Sequence, residues 1–311
     1  MNASVHSSQP ASQPDPAAFH RPTPADYAWA RPLLFAAGRQ GCEYSFGNLY
    51  AWCVKYGTEI ARAEGFFLLR CLFRGQAGYG FPVGPGDLSA VLPLLEEDAS
   101  SFGAPLRLFG VTREDIPRLE AARPGAFRFE TDRADWDYIY ARADLAELAG
   151  KKYHQKRNHV ARFERNYDWR YEEITPAILD ECLDMERQWE ALHSDRDPEG
   201  LRLELAALER CLEQYEAFDM RGGALRAGGK LVAFTVGEAL NATTFCTHFE
   251  KAYPDYPGAY QMINRCFAQR SLSEFEYVNR EEDLGDEGLR RAKLSYYPVT
   301  LLEKYTATEE F

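Results

Sequence analysis

Apolar and polar positions fall into distinct rhythms along the chain, and those rhythms predict its elements. From Pro24 to Ala37 the spacing suits a helix, with Thr23 placed as its N-cap and Pro24 at the first helical position. The aromatic-rich SFGNLYAWCVKY reads equally as helix or buried strand, because periodicity alone does not separate the two. TEIARAEG followed by FFLLRCLF predicts a hairpin that turns at Glu64–Gly65. GYGFPVGPG is rich in turn formers, and Asp87 is placed to cap a helix that ends at Gly103. LRLFGVT reads as a strand, a helix follows from about Arg113 to Ala122, and FRFETDRADWDYIYA reads as strand and turn.

The second half is more regular. WRYEEIT predicts a strand, and Thr175–Pro176 opens a helix through PAILDECLDMERQWEALH. A second helix spans about Leu201–Phe218. MRGGALRAGGKLVAFTVGEAL predicts two strands joined at Gly228–Gly229, and TTFCTHFEKA a third. The loop YPDYPGAY, the helix QMINRCFAQRSL, the strand EFEYVNRE, the helix DEGLRRAKLSYY and a final strand VTLLEKYTA complete the chain. From Asp168 onward the order is therefore β-α-α-β-β-β-α-β-α-β. The first half offers a looser version of the same alternation. No repeat of fixed period is visible, so a duplicated architecture follows from element order alone.

The segment GKKYHQKRNHVARFERN (150–166) gathers six Lys or Arg and two His against one acid, Glu164. Projected on a helix from 149 to 167, Tyr153, Val160, Phe163 and Tyr167 form one apolar stripe. Lys151, Asn158, Arg162 and Arg165 fall on the opposite, solvent side. Lys156 falls inside the stripe, flanked by Lys152 and His159, with Arg157 on the other flank. A lysine turned toward a core is costly unless it is paired or meets an anionic ligand, so these residues are candidates to hold the phosphate of a donor.

Composition narrows the partners. Hydrophobic content of 45% and aromatic content of 14% suffice for real cores, which excludes a wholly disordered chain. The net charge of −12 argues against generic nucleic-acid or anionic-membrane binding, so any such partner must meet a local basic patch. Nothing points to DNA. The seven cysteines are scattered without a CxxC pair, as in a reduced cytoplasmic protein. The first 22 residues read as a disordered tail without an apolar signal region. No apolar run approaches the roughly 20 residues that span a bilayer. The expectation is a soluble, cytoplasmic protein with no transmembrane segment.

The element order resembles the GNAT acyltransferase fold. GKKYHQKRNHVARFE, HFEKAYPDYPGAYQMINR and NREEDLGDEGLRRAKLSYYPVTLLEKY, with EYSFGNLYAW and GYGFPVGPGD before them, are similar to the family typed by the soluble C-terminal domain of phosphatidylglycerol lysyltransferase. The likeness covers roughly residues 25–311. It implies an α/β (α+β) fold of two tandem GNAT-like domains, each a mixed central sheet flanked by helices. The expected division is a tail at 1–22, a degenerate first domain at 23–148 and an active second domain at 149–311. The typed member moves lysine from lysyl-tRNA to a lipid head group, and related tandem proteins pass amino acids from tRNA to cell-wall precursors. The implied donor is aminoacyl-tRNA, met through its acceptor end. Acyl-CoA is the second choice, because Asp255 and Tyr260 replace the basic or amide residue and the small residue of the GNAT phosphate loop. The acceptor is an amine or hydroxyl on a small molecule, peptide or lipid head group. A non-catalytic ligand-binding protein is the alternative reading.

Site residues follow from this placement. Gly258, Ala259 and Tyr260 open the helix whose N-terminus would favour phosphate, and Gln261 and Asn264 lie on its first turns. In HFEK, alternation puts His248 and Glu250 on one strand face, with Phe249 and Lys251 on the other. Glu250 is the candidate base or amine anchor, His248 a substrate contact and Lys251 a phosphate ligand. Asn279, Glu281 and Asp283 stand at a strand's C-terminal end, where they would bind a cationic aminoacyl group or cap the next helix. Lys293 and Tyr296 close that helix, Tyr296 as the candidate acid. The acidic cluster lacks His or Cys at ligand spacing, so no metal is implied.

Overall fold

A computed structural model describes residues 18–73, 76–193 and 197–310. In the first half, α1 (Tyr27–Ala36) and α2 (Phe46–Tyr56) precede β1 (Thr58–Ala63), β2 (Phe66–Phe73) and β3 (Gln76–Gly80). They are followed by α3 (Leu88–Ser101), β4 (Arg107–Val111), α4 (Ile116–Ala122), β5 (Phe127–Thr131), β6 (Asp137–Ala141) and α5 (Arg142–Glu147). The ambiguous aromatic segment is a helix because its ends are fixed: the Ser45 hydroxyl accepts from Asn48 N, and Gly57 closes it at φ 56°. Glu64 and Gly65 both adopt positive φ and turn the β1–β2 hairpin where expected. The Asp87 carboxylate accepts from Ser89 N and starts α3.

The second half continues with α6 (His154–Asn166), β7 (Trp169–Glu173), α7 (Leu179–His193), α8 (Pro198–Glu213), β8 (Arg221–Ala227) and β9 (Lys230–Ala239). Then come β10 (Thr244–Ala252), α9 (Ala259–Arg270), β11 (Tyr277–Asn279), α10 (Glu287–Leu294), β12 (Thr300–Leu302) and β13 (Tyr305–Glu309). Two mixed sheets result, ordered β1-β2-β3-β4-β13-β5 and β12-β6-β11-β10-β9-β8-β7. Each contains one parallel pair, β3 with β4 and β10 with β11.

The sheets exchange strands. FRFETDRADWDYIYA supplies β5 to the first sheet and β6 to the second, where β6 lies between β11 and β12. The expected final strand VTLLEKYTA is two strands that part at Glu303–Lys304: β12 joins the second sheet and β13 runs between β4 and β5 of the first. Strand β6 thus lies before residue 149 and β13 after it, each in the sheet of the other half. Helices α1 and α2 also pack into the second sheet's core, where Phe218 lies 5.0 Å from the Tyr27 ring, 5.2 Å from Phe46 and 5.1 Å from Tyr50. A separate core lies under α3 and α4 against the first sheet. Among the described residues no helix is long and apolar enough to cross a membrane.

Candidate functional site

The second sheet opens beside its parallel pair. β10 and β11 share a ladder only where Thr244–Cys246 face Tyr277–Asn279, while β10 runs on to Ala252 against β9. Beyond Asn279 the strands part, and side chains from six elements or their ends enter the gap. Arg280, just past β11, reaches across so that its Nη2 lies 2.8 Å from Glu250 Oε1 of β10. Asn264 of α9 donates to Glu250 Oε2 at 3.3 Å. Tyr296, after α10, packs its ring edge-on to Tyr140 of β6, and the Arg280 guanidinium lies 5.1 Å from the Tyr296 ring centre. Lys156 of α6 stands 3.8 Å over that same ring and donates to Ser295 Oγ at 2.7 Å.

This cluster holds two cations and one carboxylate. Arg280 Nη1 and Asn264 Oδ1 are buried there with no hydrogen-bond partner among the described residues. Burial, reinforced by the neighbouring Arg280 charge, pushes the Lys156 ammonium down to about 8. Burial holds the Tyr296 phenol well above its usual value, so it keeps its proton across the working pH range. The helical stripe accounts for Lys156: Tyr153, Val160 and Phe163 are buried, Lys156 and Tyr167 half-buried, and Lys151, Asn158, Arg162 and Arg165 exposed.

The start of α9 is closed to backbone approach from the α6 side. Gly258 sits at φ 97°, and a Cβ there would overlap the His159 carbonyl oxygen and crowd Phe163 Cβ. The Ala259 amide is taken by Tyr256 O at 2.9 Å. Gln261 is half-buried on the first turn, and Tyr260 is partly exposed, though burial pushes its phenol up to about 12. The His159 side chain itself faces solvent.

Other candidates lie elsewhere. Strand alternation does not put His248 beside Glu250, because β10 bulges between Thr247 and Phe249. Glu250 turns to α9, whereas His248 turns to the start of α2, 3.0 Å from Ser45 Oγ and 2.8 Å from Glu281 Oε1. Lys251 is buried, 3.1 Å from Glu186 and 2.9 Å from Glu204, so its charge is matched internally rather than offered to a phosphate. The acids after β11 diverge instead of forming one pocket for a cationic group. Glu281 binds His248 and Asn48, while Asp283 is fully buried against Arg290, Arg133 and the Tyr138 hydroxyl. The cap of α10 is Asp286, whose carboxylate accepts from Leu289 N. Asn279 is shut inside, donating to Gln40 O and Asp137. Lys293 is buried and donates to the carbonyls of Arg280 at 2.6 Å and Glu282 at 2.5 Å, which holds the 280–282 segment beneath the gap. Arg157 is spent on the carbonyls of Leu148 and Gly150, and Lys152 pairs with Asp144 at the surface.

Sequence reasoning missed the buried polar network at the junction of the two sheets. Glu238 accepts from the Ser45 hydroxyl and from Gly47 N, and lies 3.5 Å from His248 Nε2. Burial works against the imidazolium, but the Cys246 sulfur and the Glu238 and Glu281 carboxylates outweigh it and hold His248 well above its usual value. The Ser45 proton is directed to Glu238 while His248 Nδ1 lies 2.8 Å from Glu281, so the array ties the start of α2 to the second sheet. It also answers the missing ligand partners, since Cys246 and His248 do meet Glu281, with their ligand atoms within 4.8 Å of one another. A second trio, Cys42, Glu43 and Asp137, surrounds Lys304, whose ammonium takes the place an ion would occupy. Arg280 carried one local signal, its position directly after a strand end in NREED.

The chain matches the family described as phosphatidylglycerol lysyltransferase, C-terminal, over residues 35–308. It is 44% identical to a conserved Bacteroides thetaiotaomicron protein of unknown function, whose crystal structure superposes with a TM-score of 0.90 over 94% of this chain and all 100% of that one. The C-terminal domain assigned to a lysylphosphatidylglycerol synthetase of Agrobacterium fabrum is 15% identical, with a TM-score of 0.67 over 93% of each chain. A tandem GNAT protein from the clavulanic acid pathway shares the fold at 13% identity, with a TM-score of 0.51 over 94% of this chain and 98% of its own. An uncharacterized Mycoplasmoides gallisepticum protein is 23% identical over 173 residues, and the match spans about half of each, 54% of this chain and 54% of that one. With its two mixed, helix-flanked sheets and its opened parallel pair, the chain belongs to the phosphatidylglycerol lysyltransferase C-terminal family and has its tandem GNAT-like fold.

Proposed function

We propose that the protein is an aminoacyltransferase that takes its acyl group from aminoacyl-tRNA and passes it to an amine or hydroxyl acceptor. The observation that carries this reading is the gap between β10 and β11, where Arg280 pairs with Glu250, Lys156 stands over the Tyr296 ring, and Arg280 Nη1 has no hydrogen-bond partner among the described residues. In this reading the acyl carbonyl oxygen is held by Arg280 Nη1 and Lys156 Nζ, which stabilise the oxyanion as it forms. The acceptor lone pair attacks the carbonyl carbon while its proton passes to Glu250. Collapse of the tetrahedral intermediate breaks the ester bond to the terminal ribose oxygen. That oxygen takes the Tyr296 proton, and the phenolate regains one from Glu250 through solvent.

Two further features support this donor over acyl-CoA. The α9 start, where a GNAT enzyme would seat pyrophosphate, is packed against the His159 carbonyl. The exposed face of α6, carrying Arg162 and Arg165, with Lys151 in the turn just before it, offers a phosphate path toward Lys156 on an otherwise acidic protein.

The test is incubation of the protein with radiolabelled lysyl-tRNA and either phosphatidylglycerol vesicles or a free amine, with acetyl-CoA run in parallel. Label should leave the tRNA, and Glu250→Gln should slow its loss by about 100-fold. Turnover of acetyl-CoA with no response to charged tRNA would reject the reading.

A further inference from the structure

A cavity of about 640 Å³ opens between α2 and the first sheet, on the other side of the 280–282 segment from the gap just described. One wall is apolar, built by Leu49 and Trp52 of α2 with Leu69 of β2 and Phe109 of β4. Glu43 and Glu282 form an acidic end beside Lys304.

The charges at that end do not balance. Lys304 Nζ lies 2.9 Å from Asp137 Oδ1 and 3.1 Å from Glu43 Oε2, and side-chain exposure is 10% for Lys304, 12% for Glu43 and 0% for Asp137. Glu282 completes the group, accepting from the Cys42 thiol at 3.1 Å. Three carboxyl groups therefore share one ammonium. Glu43 Oε1 and Asn48 Oδ1, both on cavity-lining residues, are buried with no hydrogen-bond partner among the described residues. Burial pushes the Glu282 carboxyl up to about 7, as expected for an acid short of a counter-ion. A desolvated cluster lacking positive charge is costly as it stands, and a second cation at its mouth would relieve it.

We infer that this cavity binds an organic cation, an amine carried on an apolar body, with Glu282 and Glu43 holding the charged head and Trp52 and Phe109 covering the body. The aromatic wall suits such a body and adds attraction for its ammonium. A metal ion is disfavoured because Lys304 already fills the point between Cys42, Glu43 and Asp137. An anion would meet the acids directly. Arg280 points into the catalytic gap and Glu282 into this cavity, so one short segment borders both, and an amine held here stands behind the transfer site rather than in it.

The inference is tested by binding alone, without any donor. Isothermal titration of the protein with phenethylamine is compared with 2-phenylethanol, its neutral counterpart. The amine should bind at least about 10-fold more tightly than the alcohol. Glu282→Gln should weaken the amine by about the same factor and leave the alcohol unchanged. Trp52→Leu, which keeps the acids, should weaken both probes, and it serves as the second reading if Glu282→Gln does not unfold at the wild-type temperature. Equal binding of amine and alcohol, no binding of the amine at about 10 mM, or undiminished amine binding in Glu282→Gln would overturn the inference. Because no transfer is read, loss of the aminoacyltransferase reading leaves this result standing, and the reverse holds too.

Discussion

Lys156 stands between a solvent-facing basic helix and a desolvated gap, and its titration follows from that position. It has no carboxylate partner among the described residues; its neighbours are the Ser295 hydroxyl, the Tyr296 ring and the Arg280 charge. With its folded value lowered from 10.5 to about 8, the unfolded chain holds the proton more tightly than the folded one between those limits. Stability from this group therefore rises with pH across that window, and the cost of the buried charge is fully present below it. Lys156→Met should be more stable than wild type at neutral pH, and its advantage should shrink as pH rises toward 10, as read by urea unfolding at both ends. In filter binding with charged tRNA, Lys156→Ala should impair affinity more than Arg162→Ala, both staying folded. Equal losses would reduce the whole stretch to a solvated basic helix. The lysine was legible from its place in the apolar stripe; Arg280 and Glu250 were not legible as a pair, because 30 residues of loop and helix separate them.

At the scale of elements, the decisive contacts are α6 against α9 and the bulge in β10. The Gly258 position combines positive φ with a backbone oxygen where a Cβ would go. Gly258→Ala should cost at least about 2 kcal/mol in urea unfolding, since neither the turn nor the His159 carbonyl can give way alone. The sequence marked this glycine as a phosphate-loop residue; its positive φ and its packing against α6 give it a structural task in the turn. The bulge at His248 shows where period-two reasoning stops. One extra residue in the strand sends His248 to α2 and Glu250 to α9, and no local composition announces it.

The whole molecule is held by segments that serve the other half. Strand β13 lies in the interior of the first sheet, with Ala307 fully buried, although it is nearly the last part of the chain. A chain stopped after Lys304 should lose cooperative unfolding of the first sheet's core and bind a hydrophobic dye, because β4 and β5 are left with unpaired edges. We propose that the two halves are not separable at residue 149. A fragment of residues 149–311 lacks β6 and the Asp137 carboxylate that Asn279 and Lys304 need, so it should show no near-UV circular dichroism of a packed core. A folded, soluble fragment would show that strand exchange is dispensable.

What the sequence determined by itself is local. Ser45 and Asp87 cap helices, Glu64–Gly65 turns a hairpin, and the 3.6-residue stripe of 150–166 orients α6, because each depends on groups within a few residues of one another. Tertiary structure alone decided which strands pair and which buried charges meet. VTLLEKYTA reads as one strand, yet it divides at Glu303–Lys304 between two sheets, since ladder partners lie well over 100 residues away and nothing in the local pattern encodes them. The same distance hid the partners of Lys304, Asp137 and Glu282. A side chain's cost or use when buried depends on which charges the fold sets beside it, and that is fixed only once the chain has closed.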